Sequence, residues 1–479
     1  LQPNRGPTGE RKWFWRWFFL KKAVSNPYVL LVLSFLAVIG FGSILLAQPW
    51  ATRSESLSWT NACFTSTSAV CVTGLTVKST GQEFTFLGQV TILALIQFGG
   101  LGFMTLSTMM LLRLRKKASL YEQGYLRDYY GADTSERLPD VTRRVGSYIA
   151  WMEGIGSLLL FVRFAIDKPG GVDWLPHLVT SLWSAFFHSV SAFCNAGFSL
   201  WDDSLIRYSG DLLVNLVIMS LVLSGGLGFF VLADIHEAIL NWWIDAPRKL
   251  RFQTRLVLTA TAFLIIGGAL LLAGLEYCNS RTVGERPWHQ SLLISLFQSV
   301  TCRTAGFNTV DLNALVPPSI LVMMVLMFIG AAPGGTGGGV KVTTFWVLLS
   351  QLSWVFHPAR EPSFRGRSFN RATIRNAVSL TVCALLLVLI GVTLLLLFEQ
   401  RVPRFESRGL FLDALFEVVS ALGTVGLSMG LTPTLSDPGK WVLVVLMFLG
   451  RVGPLGLLSA ALDHEEYDVR YPSESVSIG

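Results

Sequence analysis

The chain has 479 residues, of which 52% are hydrophobic and only 14% charged, with a mean hydropathy of +0.52. A soluble domain carries roughly 25% charge, so a string of soluble domains is excluded and a polytopic membrane protein is indicated. The net charge of +7 does not argue for nucleic acid, because the basic residues are spread between apolar spans, where they read as topology signals.

In chain order, the run Arg11-Lys-Trp-Phe-Trp-Arg-Trp-Phe-Phe-Leu-Lys-Lys22 is basic and aromatic, as interfacial anchors are; a contact with a cytosolic partner is the alternative. The first apolar run, 28–47, is too long for a signal h-region and lacks a small-residue cleavage site, so it is expected to remain as a span. A shorter segment, 57–70, leads into Ser66-Thr-Ser-Ala-Val-Cys-Val-Thr-Gly74-Leu, and a second long span, 87–112, carries Gln97-Phe-Gly-Gly-Leu-Gly-Phe.

This triplet recurs three times. Further first helices are expected at 148–166, 256–275 and 374–398, and further second helices at 211–240, 319–350 and 440–460. Between them lie 178–192, 289–301 and 410–421, which lead to Ser189-Val-Ser-Ala-Phe-Cys-Asn-Ala-Gly197, Ser299-Val-Thr-Cys-Arg-Thr-Ala-Gly306 and Val418-Val-Ser-Ala-Leu-Gly-Thr-Val-Gly426. The third of these four segments is one residue short, and the closing glycines are 123, 109 and 120 residues apart. The second glycine signature keeps step: Ser224-Gly-Gly-Leu-Gly-Phe, Gly330-Ala-Ala-Pro-Gly-Gly-Thr-Gly-Gly-Gly and Gly450-Arg-Val-Gly-Pro-Leu-Gly. One glycine cluster alone would mean close helix packing; two motifs repeating together mean duplicated units.

The intervening segments hold about ten to fifteen helical residues, too few to cross a bilayer, and are expected to be re-entrant half-helices around a shared cavity. With two spans per unit, all connections between units fall on one side. That side collects 23 of the 38 basic residues, from Arg5 through the 113–144 loop to Arg375, and is therefore assigned to the cytoplasm. The expected fold is an all-α polytopic membrane protein of four fused helix–half-helix–helix repeats around a central pore, like a K+ channel. Its parts are a cytoplasmic segment 1–27, repeat 1 at 28–117, a linker with repeat 2 at 118–240, repeat 3 at 241–352, repeat 4 at 353–462 and a cytoplasmic tail 463–479.

A half-helix entering from outside aims its unpaired C-terminal carbonyls at the bilayer centre, with about half a negative charge. Four such ends form a cation site without a carboxylate, and rings of carbonyls that replace hydration are how potassium filters work. The candidate ion-binding residues are Val72, Thr73 and Gly74; Asn195, Ala196 and Gly197; Thr304, Ala305 and Gly306; and Thr424, Val425 and Gly426.

These segments, with Thr67-Ser-Ala-Val-Cys-Val-Thr-Gly-Leu, Gln298-Ser-Val-Thr-Cys-Arg-Thr-Ala-Gly-Phe-Asn-Thr and Gly330–Thr344 foremost, resemble the Trk/Ktr/HKT superfamily of cation transporters, and within it the KtrB-type pore-forming subunit. The tail ending Val476-Ser-Ile-Gly and the lack of two extra N-terminal helices favour KtrB-like over TrkH-like. The resemblance implies potassium uptake, since a serine at the first filter glycine accompanies sodium transport and here that residue is Gly74. It also implies a homodimer, a cytosolic ring of nucleotide-binding KtrA-like regulatory subunits, and Na+ as a modulator.

In the third unit Pro333-Gly-Gly-Thr-Gly-Gly-Gly339 has too many helix breakers to stay helical. The expected gate comprises Gly330, Pro333, Gly334, Gly335, Thr336, Gly337, Gly338, Gly339 and Lys341, an intramembrane gating loop by resemblance. A kinked, packed helix is the competing reading. The Walker A reading fails because Val340 separates Gly339 from Lys341 within a span. Arg451, inside the last span, is expected to face the interior as a barrier to cations and a partner of the gate loop; pairing with Glu417 is the alternative.

Glu153 is read as a packing residue able to pair with a basic group, Arg303 as pointing away from the ion, Asp413 as complementing the dipole of its half-helix, and Glu417 as able to raise local cation concentration. Six cysteines without a C-x-x-C pair and six scattered histidines give no disulfide framework or metal site. No catalytic constellation, nucleotide site or resident cofactor is expected; the partners are the lipid bilayer and protein subunits, not nucleic acid. A sodium-preferring or weakly selective transporter of the same fold is the main alternative. An alternating-access solute carrier would require inverted repeats.

Overall fold

The computed structural model describes residues 27–54, 56–100, 138–167, 173–243, 249–356, 361–399 and 409–453. The basic and aromatic N-terminal run, most of the basic 113–144 loop, the end of the first unit's second span and the C-terminal tail lie outside them.

The first unit comprises α1 (Pro27–Leu46), α2 (Trp59–Val70) and α3 (Phe86–Gly100). The second comprises α4 (Leu138–Ile166), α5 (Trp174–Phe193), α6 (Leu212–Leu227) and α7 (Phe229–Trp243). The third comprises α8 (Phe252–Glu276), α9 (Trp288–Thr301), α10 (Pro317–Phe328) and α11 (Val342–Phe356). A hairpin of β1 (Ser363–Phe364) and β2 (Arg367–Ser368) precedes α12 (Arg371–Glu399), α13 (Leu410–Gly423) and α14 (Asp437–Val452).

The protein is a mostly helical membrane protein. Within α4 the stretch Val145–Ile166, together with α8 and α12, is long and apolar enough to cross a bilayer, and α6 with α7 forms a broken pair bent by 106°. That bend corrects the single span expected over 211–240. Gly228 sits at the break with φ 84°, a left-handed conformation that a helix interior cannot hold. The short helices α2, α9 and α13 have 12, 14 and 14 residues, whereas α5 has 20. The expected 178–192 segment is thus too short by several residues, and length alone does not mark α5 as re-entrant.

The exterior is apolar where a soluble protein would be polar, and the largely apolar interior also holds many polar side chains. Leu158, Leu270 and Leu389 are more than 60% exposed, while Ser189, Thr424 and Glu417 are fully buried. Hydrocarbon outside and polar side chains inside are what a bilayer solvent selects.

Within each unit the first helix packs on the short helix, and α6, α10 and α14 pack on the short helix of the following unit: α9, α13 and, closing the circle, α2. The closure is fastened by Lys440, whose Nζ donates to Asn61 Oδ1 at 2.9 Å. A repeated glycine joint sets the close approach. A Cβ at Gly42, Gly156 or Gly268 would lie 2.5, 2.7 or 2.5 Å from the hydroxyl of Ser66, Ser189 or Ser299. Those hydroxyls donate to the carbonyls of Ile39, Glu153 and Ile265 at 2.8, 2.7 and 2.8 Å. In the fourth unit Val418 replaces the serine and faces Gly391.

Candidate functional site

The four short helices end on turns of one design. Each turn has a left-handed residue two positions before a left-handed glycine: Val72 and Gly74 (φ 55° and 96°), Asn195 and Gly197 (59° and 69°), Thr304 and Gly306 (67° and 77°), Thr424 and Gly426 (51° and 90°). Thr73, Ala196, Ala305 and Val425 between them are outside that region. Four non-glycine residues held left-handed at roughly 1–3 kcal/mol each persist only where the surroundings enforce them.

Hydrogen bonds supply the enforcement. The amides of Thr73, Ala196 and Val425 donate to the carbonyls five residues back, Ser68, Ser191 and Ser420, at 2.8, 2.7 and 2.8 Å. The third turn, one residue short, bonds Ala305 N to Thr301 O instead, four residues back, at 2.9 Å. Hydroxyls add a second strap: Ser68 and Ser420 each accept from the amide of Gly74 or Gly426 at 3.1 Å, and Ser191 and Thr301 donate to the carbonyls of Phe198 and Phe307 at 2.8 and 2.5 Å.

The four turns close on one another. A Cβ at Gly74 would strike the Ala196 carbonyl oxygen, one at Gly197 would lie 2.9 Å from Ala305 O, one at Gly306 2.6 Å from Val425 O, and one at Gly426 would strike Thr73 O. The circle therefore runs through units 1, 2, 3 and 4 and back to 1, with a glycine of each unit against a carbonyl of the next. Eight of the twelve sequence-derived candidate residues meet in these contacts, and the other four, Val72, Asn195, Thr304 and Thr424, are the left-handed residues that open the same turns.

Beside it lies the 329–341 loop between α10 and α11. Gly330 N donates to Val340 O at 2.8 Å and Ala331 N to Gly338 O at 3.3 Å, closing the loop on itself. The amides of Ala332 and Thr336 donate to the carbonyls of Gly226 and Gly225, both at 3.0 Å, which ties the loop to the broken end of α6. Gly338 N donates to the Thr424 hydroxyl at 3.0 Å, and a Cβ at Gly337 would strike the Thr304 hydroxyl. Pro333, Gly334 and Gly335 lie instead against Gly226 and Gly228, and Gly339 lies against Gly330 and the Gly423 carbonyl.

Basic side chains grip the loop by its carbonyls. Lys341 Nζ donates to Gly337 O at 2.8 Å; Arg451 donates to Thr336 O, and its other terminal nitrogen to Gly99 O at 2.7 Å. Arg303 donates to Gly330 O at 2.9 Å, so it faces the loop. Glu417 accepts from Ser428 and from Thr432, the latter at 2.9 Å. Glu153 accepts from the neutral Gln97 at 3.1 and 3.2 Å and, among the described residues, from no basic group. Asp413 is buried in the first turn of α13.

Sequence reasoning missed Glu276 and Glu399, each closing the first helix of its unit. Both are buried, and they accept from the amides of Val316 and Ser436, the N-cap residues of α10 and α14, at 2.9 Å each. An acidic residue ending an apolar span in two successive units was the signal available.

A mostly helical membrane protein with four carbonyl-bearing turns in a ring has the geometry of the class of cation-translocating membrane proteins. Comparison with known proteins makes the class specific. Residues 10–468 match the family model of the TrkH cation transport protein. The chain is 38% identical to Ktr system potassium uptake protein B of Bacillus subtilis, over 95% of this chain and 97% of that protein. It is 36% identical to the protein of the same description in Vibrio alginolyticus, over 96% of each. The potassium transporter TrkH of Vibrio parahaemolyticus superposes with a TM-score of 0.67 at 20% identity, covering 90% of this chain and 83% of that one, and so shares the fold. The chain belongs to the TrkH family of cation transport proteins.

Proposed function

We propose that this chain is the membrane subunit of a Ktr-type potassium uptake system, passing K+ through the ring formed by residues 72–74, 195–197, 304–306 and 424–426. The observation that carries the reading is the closed circle of four turns, each with the same left-handed pattern. Left-handed residues alternating with ordinary ones let successive carbonyls face one side, as an ion stripped of water requires. Likeness to two potassium uptake proteins over nearly the whole chain supports potassium as the cargo.

The 329–341 loop is the gate in this reading, and Arg451 its latch. The loop touches the third and fourth turns through Thr304 and Thr424, and a guanidinium beside the path opposes a passing cation. The basic connections between units support a cytoplasmic loop side, with both termini on that side in this reading. The likeness to a protein of a Ktr system supports a KtrA-like cytosolic partner, and in this reading two copies of the chain dock as a homodimer on a ring of such nucleotide-binding subunits. Na+ acts as a modulator, and the ion gradient with the membrane potential supplies the drive, about 2.3 kcal/mol per charge per 100 mV.

Flux of K+ and Na+ into liposomes holding the purified chain, with and without a regulatory subunit, tests the proposal. Potassium flux exceeding sodium flux, and basal flux raised several-fold by Arg451→Ala, is expected. Equal flux of the two ions would replace it with the weakly selective alternative, and silence with the partner present would remove it.

A further inference from the structure

Arg303 lies inside the third turn, three residues before Gly306, and is 5% exposed. A guanidinium in a membrane interior is costly unless acceptors surround it. Among the described residues it has one protein acceptor, the carbonyl of Gly330, at 2.9 Å, while its Nε and Nη1 have none. It borders a small cavity of about 10 Å³ lined by Val222, Leu223, Gly226, Leu227, Thr261 and Ala331, none of them acidic. That is room for roughly one water.

Gly330 is where the gate loop leaves α10, held by its amide to Val340. The next residue of the turn, Thr304, carries the left-handed φ of 67°, and its hydroxyl abuts Gly337 on the other limb of the loop. The third turn therefore holds the loop at both limbs: by charge at Gly330 and by contact at Gly337. Arg451 holds the same loop at Thr336, from the fourth unit and through a different carbonyl.

We propose that Arg303 is a positioning residue that couples the loop to the filter. When Thr336 is released and Gly330 shifts, the guanidinium loses its protein acceptor unless the third turn moves with it. Loop position and ion preference are then linked, and by reciprocity the occupied filter biases the loop. This rests on the gating reading above and adds to it a second arginine, on the filter side.

The test is a cycle of Arg303→Gln and Arg451→Ala in the full chain, with two readouts: basal K+ flux in liposomes, and the preference for KCl over NaCl in thermal stabilisation of the detergent-solubilised protein. Each single variant is expected to raise basal flux several-fold, the pair by far less than the product, as coupling of about 5-fold or more allows. Arg451→Ala should shift the potassium preference about fivefold when Arg303 is present and less than twofold when it is glutamine. Multiplying flux effects, or a preference unmoved by Arg451→Ala in both backgrounds, would overturn the coupling and leave the transport reading standing. A wild type with neither potassium-dependent stabilisation nor, with a regulatory subunit present, flux would instead overturn the transport reading, and the coupling with it. Arg303→Lys keeps the cation and a donor for the Gly330 carbonyl, so it is expected to retain part of the coupling; should the glutamine variant fail to fold, flux effects of Arg303→Lys and Arg451→Ala that simply multiply would refute the role.

Discussion

Replacing Gly74 tests the ring most sharply, because two independent costs fall on the same atom. At φ 96° the residue sits well beyond the 51–67° occupied by Val72, Asn195, Thr304 and Thr424, so a side chain there is strained even by the standard of this ring. Left-handed backbone costs a non-glycine residue roughly 1–2 kcal/mol. The new Cβ would also strike the Ala196 carbonyl oxygen and lie 3.1 Å from Gly197 Cα. Overpacking of that kind adds about 1–3 kcal/mol. The combined strain of about 2–5 kcal/mol can be relieved by rotating the 73–74 or 196–197 peptides, which turns carbonyls off the ring. Since each 1.4 kcal/mol is tenfold, the K+/Na+ flux ratio in liposomes is expected to fall by at least about tenfold. The steric cause predicts that Gly74→Ala is as damaging as Gly74→Ser, because both place the same Cβ on the same oxygen. Alanine with an unchanged flux ratio and unchanged melting temperature would refute the steric reasoning and leave only a hydroxyl effect to explain a serine phenotype.

Two further predictions concern the supports. Ser68→Ala and Ser420→Ala remove the hydroxyls that accept from Gly74 N and Gly426 N, leaving buried amides without that partner; each should cost about 1–3 kcal/mol, seen as a lower midpoint in thermal unfolding and a lower K+ flux. Glu399→Ala removes the carboxylate that accepts from both the amide and the hydroxyl of Ser436. It should cost about 1.5–3 kcal/mol per charged hydrogen bond lost, measured by thermal unfolding, with the K+/Na+ ratio unchanged because the contact lies at the far end of α14 from the ring.

What the sequence reveals here is what duplication amplifies. A glycine closing a short segment means little once, but four copies in step mark four turns, and the missing residue in the third copy reappears as a backbone bond four residues back rather than five. The break in 211–240 is hidden in the sequence because Gly225, Gly226 and Gly228 form one continuous signature. They do different work: Gly225 would bring a Cβ onto the Phe193 carbonyl oxygen, whereas Gly228 turns the chain at φ 84°. Gly450 and Gly453 divide their work the same way, the first against Leu422 O and the second at φ 84°. Partners of buried charges were not legible, since Arg303, Arg451 and Lys341 bind backbone carbonyls, which every residue carries and no side-chain pattern announces.

The unit that breaks the common pattern is the one that holds the gate candidate, and the reason is geometric. In units 1, 2 and 4 the second-helix glycine, Gly99, Gly225 or Gly450, sits on the carbonyl of its own short helix at Val70, Phe193 or Leu422. That contact locks the second helix to the turn it follows. In unit 3 the corresponding Gly330 packs on Gly338 of its own loop, so the lock between second helix and turn is missing. What replaces it is a set of polar contacts to Arg303, Thr304, Thr424 and Arg451, drawn from two turns and two units. A glycine-on-carbonyl lock has one position, whereas hydrogen bonds to a flexible loop can be exchanged for others at small net cost. Three glycine-on-carbonyl joints and one hydrogen-bonded joint make the loop of unit 3 the exchangeable element of the proposed gate, so variants that add bulk at Gly337 or Gly338, against the hydroxyls of Thr304 and Thr424, should displace the loop while the joints at Gly99 and Gly225 stay closed.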